Sequence, residues 1–265
     1  MKRLFRWIGL LVGLSLVLSA CAGGSGTHLD AIKKAGVIKI GTSADYPPFE
    51  SVDPSGNKIG FDVELMTEIA KRMNVKLEWV DMPFDSLIAA VQGNKIDGAI
   101  SAFNVTPERQ KMVDFTDSYY TSQDGFVVAD TFSGTIKSPD DIVKYKVGVQ
   151  TGTTQETYLK DTFVKTNKLP EGNLSTYDRA DQAAMDVKNG RIDIMMADYV
   201  AAKMLADKIG GLKVAHQGIY SSGPMNIVIP LGDKDLAGAM NTIIKQLQAE
   251  GFMDKLAVKY FAGTN

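Results

Sequence analysis

The chain has 265 residues, of which 29 are basic and 31 are acidic, so its formal net charge is −2. This length suits one large domain or two lobes of about 120 residues each. A mildly acidic balance argues against nucleic acid as the partner, because nucleic-acid-binding proteins usually present a basic surface.

The N-terminal residues are typical of an export signal. A basic start at 1–6 precedes an apolar run from Trp7 to Leu18. That run is shorter than the about 20 apolar residues that a membrane-spanning helix needs, and a short apolar core followed by small residues is typical of a secretory signal peptide. We therefore predict that residues 1–20 are a signal peptide and that the protein is extracytoplasmic, in the periplasm or at the cell surface.

The end of this signal, Leu18-Ser19-Ala20-Cys21, resembles the lipobox of bacterial lipoproteins. The resemblance implies that Cys21 becomes the first mature residue and carries a fatty-acyl, palmitate-type membrane anchor. An ordinary buried Cys is the alternative, and as the sole Cys it excludes an internal disulfide. Small residues follow it, so we predict that 21–35 comprise the lipidated Cys and a flexible tether.

Short strand-like runs alternate with helical patterns in the first half of the chain. The apolar spacing predicts strands and helices in turn at Val37–Gly41, Gly60–Met73, Lys76–Val80, Phe84–Val91 and Ile96–Ile100. This alternation is typical of βαβ units and of a largely parallel sheet.

The same pattern restarts in the second half. Strands are predicted at Lys146–Val149, near Thr176 and at Ile192–Met196, with helices at Thr153–Val164 and Arg179–Lys188. The repetition predicts two similar lobes.

A short motif also repeats between the halves. Val91–Asp97 and Val187–Asp193 each combine a helix end, a Gly/Asn stop, a cation and an apolar strand. A shared local need of turns is the alternative explanation, because Gly and Asn suit helix ends.

Two extended runs, Gly125–Ala129 and Met225–Pro230, are predicted to cross between the lobes as a double hinge. Lobe 1 would then comprise 36–127 and 223–265, and lobe 2 would comprise 128–222. Helices at Asp235–Ala249 and Met253–Phe261 would return to lobe 1. Open α/β sheets bind ligands beyond the carboxyl ends of their strands, so two such lobes create a cleft that closes by hinge motion.

Several stretches resemble the family 3 solute-binding proteins of ABC amino-acid importers, in order and at the family's spacing over residues 36–261: Gly41–Glu50, Gly60–Leu65, Ile100–Arg109, Val113–Tyr120, Val147–Glu156 and Gly251–Phe261. The resemblance implies an α/β fold of the two-lobed periplasmic-binding-protein type (type II), with two hinge-connecting strands. It also implies a monomer that captures a polar or basic amino acid and delivers it to the transmembrane subunits of an ABC permease.

An α-amino acid is a zwitterion, so a buried site needs a cation for its carboxylate and an anion for its ammonium group. Arg109 stands where the family's carboxylate-binding Arg stands, after a predicted helix start at Thr106, and its guanidinium can offer two parallel N–H bonds. A surface Arg paired with Glu108 or Asp114 is the alternative. Asp198 matches the family's ammonium-binding Asp, although a helix N-cap is the alternative.

Backbone donors are expected beside Arg109. Thr153 and Thr154 open a helix after Gly152, and their free N–H groups would face the same carboxylate. A plain capping turn is the alternative, and both roles are compatible. The main chain near Ala102 and Asn104 is expected at the ligand by similar logic.

Tyr46 and Phe84 stand where family members place apolar walls around the ligand side chain, although Phe84 also fits a core position. Gln150 could meet that side chain. Several relatives that bind Gln or basic amino acids carry Asp at the position of Ser43, whereas here the acid is Asp45. Further possible polar contacts are Asp62, Gln123 and Asp124. The pattern favours a polar or cationic ligand side chain and leaves Arg, Lys, His and Gln open.

Two other functions are considered. The fold also occurs in cyclohexadienyl dehydratases, whose chemistry needs a general acid, and Glu156 and Asp45 are candidates. However, His28 and His216 have no metal-ligand neighbour, and no nucleophile elbow or phosphate-binding Gly loop is present. We therefore predict a binding protein without a cofactor or metal rather than an enzyme.

The second alternative is a ligand sensor, because the same module forms the outer domain of receptor kinases and glutamate receptors. Those proteins need a membrane span after the module, whereas this sequence ends at Asn265. An importer component is therefore the favoured expectation.

Overall fold

Two five-stranded sheets, one in each of two lobes, organise the computed structural model, which describes residues 26–262. The predicted signal peptide, Cys21 and the start of the tether lie outside the described residues. No helix within 26–262 is both long and apolar enough to cross a bilayer.

The α-helices of the described range are α1 His28–Ala35, α2 Phe61–Arg72, α3 Leu87–Gln92, α4 Thr154–Leu159, α5 Ala180–Lys188, α6 Tyr199–Ile209, α7 Lys234–Ala249 and α8 Phe252–Tyr260. The strands are β1 Val37–Thr42, β2 Asp45–Tyr46, β3 Glu50–Val52, β4 Lys58–Ile59, β5 Lys76–Asp81, β6 Gly98–Ala99, β7 Val113–Phe115, β8 Tyr120–Thr121, β9 Asp124–Ala129, β10 Val147–Gln150, β11 Leu174–Tyr177, β12 Ile194–Asp198, β13 Leu212–Gly218, β14 Pro224–Met225 and β15 Val228–Pro230.

Short helical turns modify three of the predicted helices. The helix predicted from Phe84 begins as a 3₁₀ turn, Phe84–Ser86, before α3. The helix predicted through Val164 is α4 followed by a π-helical turn, Lys160–Val164. The helix predicted after Thr106 is reduced to one 3₁₀ turn, Arg109–Lys111.

The two sheets have the same layout. Lobe 1 has the strand order β5-β1-β6-β15-β7, and lobe 2 has the order β11-β10-β12-β9-β13. In each sheet the first three strands are parallel and the fourth, β15 or β9, is antiparallel to the third. The predicted pair of similar α/β lobes is therefore confirmed.

The repeated sequence motif has the same structural role in both lobes. The carboxylate of Asp97 accepts a hydrogen bond from the backbone N–H of Lys39 at 2.7 Å, and Asp193 accepts one from Lys146 at 2.8 Å. Each carboxylate ties the turn before the third strand to the backbone in β1 or just before β10.

The lobes are joined at a narrow hinge where β8 and β14 pair antiparallel, with Tyr120 opposite Met225. We predicted the crossings at Gly125–Ala129 and Met225–Pro230, and this position requires correction. β9 lies entirely in the lobe 2 sheet and β15 lies in the lobe 1 sheet, so the crossings occur a few residues earlier. The physical reason is burial, because a continuous apolar run such as Phe126–Val128, with each residue 0% exposed, is the signature of a central strand.

The last part of the predicted tether is also corrected, since residues 28–35 form α1. Thr27 and Asp30 make a reciprocal capping box at the start of this helix. Ile32 is buried, and the His28 ring bonds Asp233 at the start of α7 at 2.6 Å. The segment is therefore attached to lobe 1 from Thr27 onward.

The C-terminal helices α7 and α8 pack on α2 in lobe 1, as predicted. An aromatic cluster lies beneath them, in which Phe61 stacks on Phe261 at 5.1 Å and Phe49 contacts both rings. The residues that directly follow Phe49 and Phe61 are Glu50 and Asp62, so this packing fixes two acidic side chains in the lobe.

Candidate ligand-binding site

A cavity between the lobes is formed by residues that follow the carboxyl ends of strands in both sheets. All eleven predicted ligand contacts line it, namely Ser43, Asp45, Tyr46, Phe84, Ala102, Asn104, Arg109, Gln150, Thr153, Thr154 and Asp198. Glu50, Ser101 and Gln155 line it as well. The structure thus brings the predicted set together, whereas their role in binding stays a prediction.

Hydrogen bonds across the cleft hold the lobes in a closed arrangement. The Tyr46 hydroxyl of lobe 1 donates to Asp198 Oδ2 at 2.9 Å and accepts from the Asp198 N–H at 2.7 Å. Asp45 Oδ2 accepts from Gln150 Nε2 at 3.1 Å and from the Ala180 N–H at 2.5 Å. The cavity walls therefore come from two bodies that meet at polar side chains.

Arg109 is buried rather than on the surface, with 7% of its area exposed. Its guanidinium donates to the carbonyl of Asn104 at 2.7 Å and to that of Gly152 at 2.9 Å. It lies over the rings of Phe84 and Phe103, 5.5 and 5.2 Å from their centroids. The alternative of a surface ion pair is wrong, because no described carboxylate pairs with this side chain.

The environment of Arg109 suits the binding of an anion. Burial lowers its pKa to about 10, which still leaves it protonated at neutral pH. A buried cation without a carboxylate partner is costly, so the site favours an incoming anion. Thr106 accepts from the Arg109 N–H at 3.2 Å, so it caps the turn as predicted although the helix itself is only one 3₁₀ turn.

Asp198 ends β12 on the opposite wall and is 4% exposed. It occupies the N-cap position of α6, as the alternative expected, but its side chain makes no capping hydrogen bond there. Oδ2 accepts from Tyr46, and the hydroxyl groups of Ser122 and Ser222 lie near the carboxylate, but the buried Oδ1 has no hydrogen bond of regular geometry with a described group. Burial raises the pKa of Asp198 to about 6. This arrangement leaves one acceptor for a donor that enters the cavity.

Asp45 faces the cavity, but both of its oxygens already have partners. Ser43 donates to Oδ1 at 2.6 Å, and Gln150 and Ala180 donate to Oδ2. Gln150 also donates to the carbonyl of Asp178 at 3.2 Å. In this closed arrangement, Asp45 and Gln150 join the lobes, and their polar atoms are engaged with each other.

Asn104 and Thr154 form another link across the cleft. Thr154 Oγ1 donates to Asn104 Oδ1 at 3.3 Å, and Asn104 Nδ2 donates to the carbonyl of Gly223 at 3.1 Å, beside the hinge. Thr153 caps α4 by accepting from the Glu156 N–H at 3.2 Å, so the capping alternative holds for its side chain.

Glu50 is the acidic wall residue that sequence reasoning missed. It is 0% exposed on β3, and Ser101 donates to its Oε1 at 2.6 Å. Oε2 is buried and accepts no hydrogen bond from another described donor. The sequence did contain a signal for it. Glu50 stands in a short strand-like run between Phe49 and Val52, just after the Tyr46 motif, and an acid in such an apolar run indicates a buried carboxyl group.

Three other acidic or polar candidates do not line the cavity. Asp62 lies behind Glu50 and accepts from the Ala102 N–H at 2.9 Å. Asp124 accepts hydrogen bonds from residues 220–222 beside the hinge. Gln123 is exposed. The expectation that these three residues contact the ligand is therefore corrected, because none of them lines the cavity.

Glu156, proposed as a general acid, is also engaged elsewhere. Its Oε2 accepts from the Gly152 N–H at 2.6 Å, and its Oε1 accepts from Lys160 at 2.6 Å. His216 hydrogen-bonds the Tyr220 hydroxyl at 2.7 Å and lies outside the cavity lining. Within 26–262, no group of His, Cys, Asp and Glu has the arrangement of a metal site.

Comparison with known proteins gives the family. The model of the bacterial extracellular solute-binding proteins, family 3, matches residues 38–263. The chain belongs to this family. The predictions of the family and of its two-lobed periplasmic-binding-protein fold are thereby confirmed.

This family 3 solute-binding protein is similar to three proteins whose names indicate what they bind or how they are related. It is 33% identical over 270 residues to the lysine/arginine/ornithine-binding periplasmic protein of Escherichia coli (strain K12), covering 98% of this chain and 97% of that one. A mutant of ArgBP from T. maritima superposes with a TM-score of 0.81 at 35% identity, covering 88% and 99%. An ancestral amino-acid-binding protein described as a precursor of cyclohexadienyl dehydratase superposes with a TM-score of 0.79 at 35% identity, covering 88% and 99%.

Proposed function

We propose that this solute-binding protein captures a basic amino acid between its lobes and delivers it to the permease subunits of an ABC importer. The cavity carries one guanidinium and three carboxyl groups, those of Asp45, Glu50 and Asp198. The names of similar proteins support the same ligand class, since one binds lysine, arginine and ornithine and another binds L-arginine.

One observation carries this proposal. Among the described residues, Asp198 Oδ1 and Glu50 Oε2 are buried at the same cavity without a hydrogen bond of regular geometry, and Arg109, which also lines this cavity, has no carboxylate partner. A basic amino acid has one carboxylate and two cations. Its carboxylate would pair with Arg109, its ammonium group with Asp198 and its side-chain cation with Glu50.

The remaining wall residues suit the other parts of such a ligand. Tyr46 and Phe84 present aromatic faces, on which an alkyl stem or a guanidinium group packs well. The backbone N–H groups at Thr153 and Thr154 would add donors for the ligand carboxylate beside Arg109. Neither contribution alone defines the ligand, but both favour an extended amino-acid side chain.

Closure of the lobes would be favoured by the ligand, because its carboxylate and its ammonium group need partners from different lobes. Arg109 and Glu50 belong to lobe 1, whereas Asp198 belongs to lobe 2. A ligand that binds both lobes favours the closed state by its differential affinity for that state. The hinge at β8 and β14 allows this motion with few backbone changes.

Further parts of the proposal concern the location of the protein. The family supports an extracytoplasmic protein, and the sequence before residue 26 supports a lipid anchor at Cys21. We propose a lipid-anchored monomer. Metabolic labelling with a palmitate analogue should mark the wild type and leave Cys21→Ser unlabelled, and labelling of both would contradict the anchor.

One finding favours a second candidate, an elimination reaction on prephenate or arogenate, because a similar solved structure is described as a dehydratase precursor. The candidate acids Asp45 and Glu156 have both oxygens engaged, which argues against it. Incubation with prephenate or arogenate should give no aromatic product. Formation of product that requires the purified protein would favour the enzyme.

A thermal-shift screen of residues 22–265 against the standard amino acids tests the binding function. A ligand at 100 times its dissociation constant should add about 2.7 kcal/mol to the free energy of unfolding. We expect the largest shifts for arginine, lysine or histidine. The absence of any shift with these ligands, confirmed by calorimetry, would contradict the proposal.

A further inference from the structure

Two buried carboxyl groups, those of Glu50 and Asp62, lie against each other in lobe 1. Both residues are 0% exposed, the Asp62 N–H donates to the carbonyl of Phe49 at 2.9 Å, and the adjacent residues Ser101 and Ala102 each bond one of the two carboxyl groups. Ser101 donates to Glu50 Oε1 at 2.6 Å, while the Tyr119 hydroxyl and the Ala102 N–H donate to Asp62 Oδ2 at 2.8 and 2.9 Å. Glu50 Oε2 and Asp62 Oδ1 accept nothing from other described groups.

The titratable groups that face this pair are acidic or neutral. Asp45 and Tyr46 approach from β2, Tyr119 approaches from the segment before β8, and Asp198 lies on the lobe 2 wall of the same cavity. The like charge of Asp45 adds to the unfavourable environment of an ionised Glu50. These neighbours therefore do not neutralise the pair.

Cationic side chains on the neighbouring elements are engaged elsewhere. Lys58 on β4 lies 3.6 Å from Asp81, and Lys259 on α8 pairs with Glu64 on α2. Arg109 shares the cavity but donates to main-chain carbonyls. Within the described part of the chain, no cation forms an ion pair with either carboxyl group of the Glu50–Asp62 pair.

Two carboxyl groups in contact, away from water and without a cation, cannot both be ionised. Asp62 has two donors from other groups, so it is the better place for the negative charge. Glu50 Oε2 and Asp62 Oδ1 are the two oxygens without such donors, and a proton between them satisfies both. In agreement, burial and the neighbouring Asp62 raise the pKa of Glu50 well above its usual range, and burial raises that of Asp62 to about 6.

We propose that Glu50 and Asp62 share one proton in the ligand-free protein, and that a cationic ligand side chain binds at Glu50 by displacing this proton to solvent. The proposal rests on the proposed function, because it needs an amino acid in the cavity. The charge balances, since one positive charge leaves the pair as another arrives. Asp62 acts as a positioning residue, which sets the protonation of Glu50 without touching the ligand.

Displacement of the proton makes the preference for cationic side chains depend on pH. Below the pH at which the pair gives up its proton, the affinity for arginine should fall about tenfold per pH unit, because one proton competes with the ligand. A neutral analogue such as citrulline displaces no proton at Glu50 and can accept a hydrogen bond from it. Acidification should therefore narrow the difference in affinity between arginine and citrulline.

Isothermal titration calorimetry tests the inference in the whole mature protein. L-arginine is titrated from about pH 5 to about pH 8 in two buffers of different ionisation enthalpy, which gives the number of protons released. Asp198 can also release a proton when it meets the ligand ammonium group. The matched reference is therefore Glu50→Gln, which keeps Asp198 and Arg109 and lacks the titrating group.

We expect the wild type to release about one proton more than Glu50→Gln across this range. Asp62→Asn should shift the acidic loss of arginine affinity to lower pH, whereas a purely structural role of Asp62 would weaken binding equally at every pH. Equal proton release by the wild type and Glu50→Gln would overturn the inference. If no amino acid binds the wild type at all, the proposed function fails instead.

A measurement on the wild type alone covers the case in which a variant does not fold. At about pH 7.5, above the range in which Asp198 titrates, a difference infrared spectrum reports protonated carboxyl groups. Addition of arginine should remove one such carboxyl band. An unchanged carboxyl region on binding would contradict displacement of the proton.

Discussion

The two lobes share a scaffold but contribute unlike chemistry to the cleft. Their sheets have the same strand order, and Asp97 and Asp193 fix equivalent turns. At the carboxyl ends of the strands the lobes differ. Lobe 1 carries a buried guanidinium at Arg109 and the acid pair at Glu50, whereas lobe 2 carries the single acid Asp198.

This difference teaches where the function of the fold lies. The two sheets are alike, and both place the loops that follow their strands at the cleft. The residues of these loops differ between the lobes, and they determine which ligand can bind. In the proposed binding mode the partner of the ligand carboxylate is in lobe 1 and the partner of the ammonium group is in lobe 2, so neither lobe alone satisfies a zwitterion. We therefore propose that the asymmetry of the loops lets a ligand that contacts both lobes favour the closed arrangement.

The largest expected effect comes from removing the receptor in each lobe. Arg109→Ala should weaken amino-acid binding by about 30-fold to 1000-fold, corresponding to about 2–4 kcal/mol, since one partner of a buried charge pair is lost. Asp198→Asn should give a loss of the same order from the other lobe. Calorimetry measures both.

Matched controls accompany these variants. Arg109→Lys keeps the charge without the planar fork and should fall between the wild type and Arg109→Ala. Arg191→Ala removes an exposed Arg that pairs with Asp186 in lobe 2, and it should leave affinity unchanged. Wild-type affinity in Arg109→Ala would remove lobe 1 as the carboxylate receptor.

The next effect concerns the junction of the lobes. Asp124 is 0% exposed and accepts from the backbone N–H groups of residues 220–222 and from Gln155 on α4. Asp124→Ala leaves these donors unsatisfied and should lower the free energy of unfolding by about 2–4 kcal/mol. Urea denaturation measures this change, and Gln123→Ala, an exposed neighbour, is the control. A change below about 0.5 kcal/mol would show that the junction does not depend on this carboxylate.

A third effect is the pH dependence of stability without ligand. The raised pKa values of Asp198 and Asp62, both about 6, mean that the folded protein binds protons more tightly than the unfolded chain. Stability is therefore higher near pH 5 and is lost as pH rises through about 6, by about 1–3 kcal/mol in total. Urea midpoints between about pH 5 and about pH 8 measure the slope.

Two comparisons sharpen that result. Asp198→Asn should reduce the slope, since its lobe 2 contribution is removed, and it should raise the stability of the ligand-free protein near neutral pH. Saturating arginine should oppose the loss of stability at higher pH, because the ligand stabilises the ionised acids. Stability that rises with pH through this window without ligand would contradict the assigned pKa directions.

The smallest effect compares the equivalent turns directly. Asp97→Ala should destabilise by about 2 kcal/mol and Asp193→Ala by about 1 kcal/mol, because Asp97 also bonds the His28 ring at 3.0 Å. Adding His28→Ala to each variant separates the extra contact in a double-mutant cycle. Coupling between His28 and Asp193 as large as that between His28 and Asp97 would mean that the difference does not arise from α1.

Local patterns were sufficient to predict the lobes, and the resemblance to family 3 solute-binding proteins was sufficient to predict most of the residues that surround the cleft. Apolar alternation marks the strands, and the motif around Arg109 carries its own turn and cap. The hinge was placed a few residues too late, since a buried central strand such as β9 and a crossing strand look alike as apolar runs. The crossing can be distinguished from a central strand only in the structure, where β8 pairs with β14.

The contacts that sequence could not supply are those between distant segments. The environment of the Glu50 carboxyl group is set by Asp62, which is twelve residues away in the sequence, and by the Ser101 hydroxyl. Asp124 looked like a pocket residue until the chain at 220–222 came to lie against it. The helix at 28–35 was missed because the small residues at 22–27 before it suggested a longer tether, although the Thr27 and Asp30 capping box was present in the sequence.

A crystal structure of the mature protein with L-arginine tests the central claim most directly. We expect one ligand in the cleft, with its carboxylate on Arg109, its ammonium group on Asp198 and its guanidinium group on Glu50. A ligand bound elsewhere, or bound in the cleft without touching both Arg109 and Asp198, would contradict the division of the zwitterion between the two lobes.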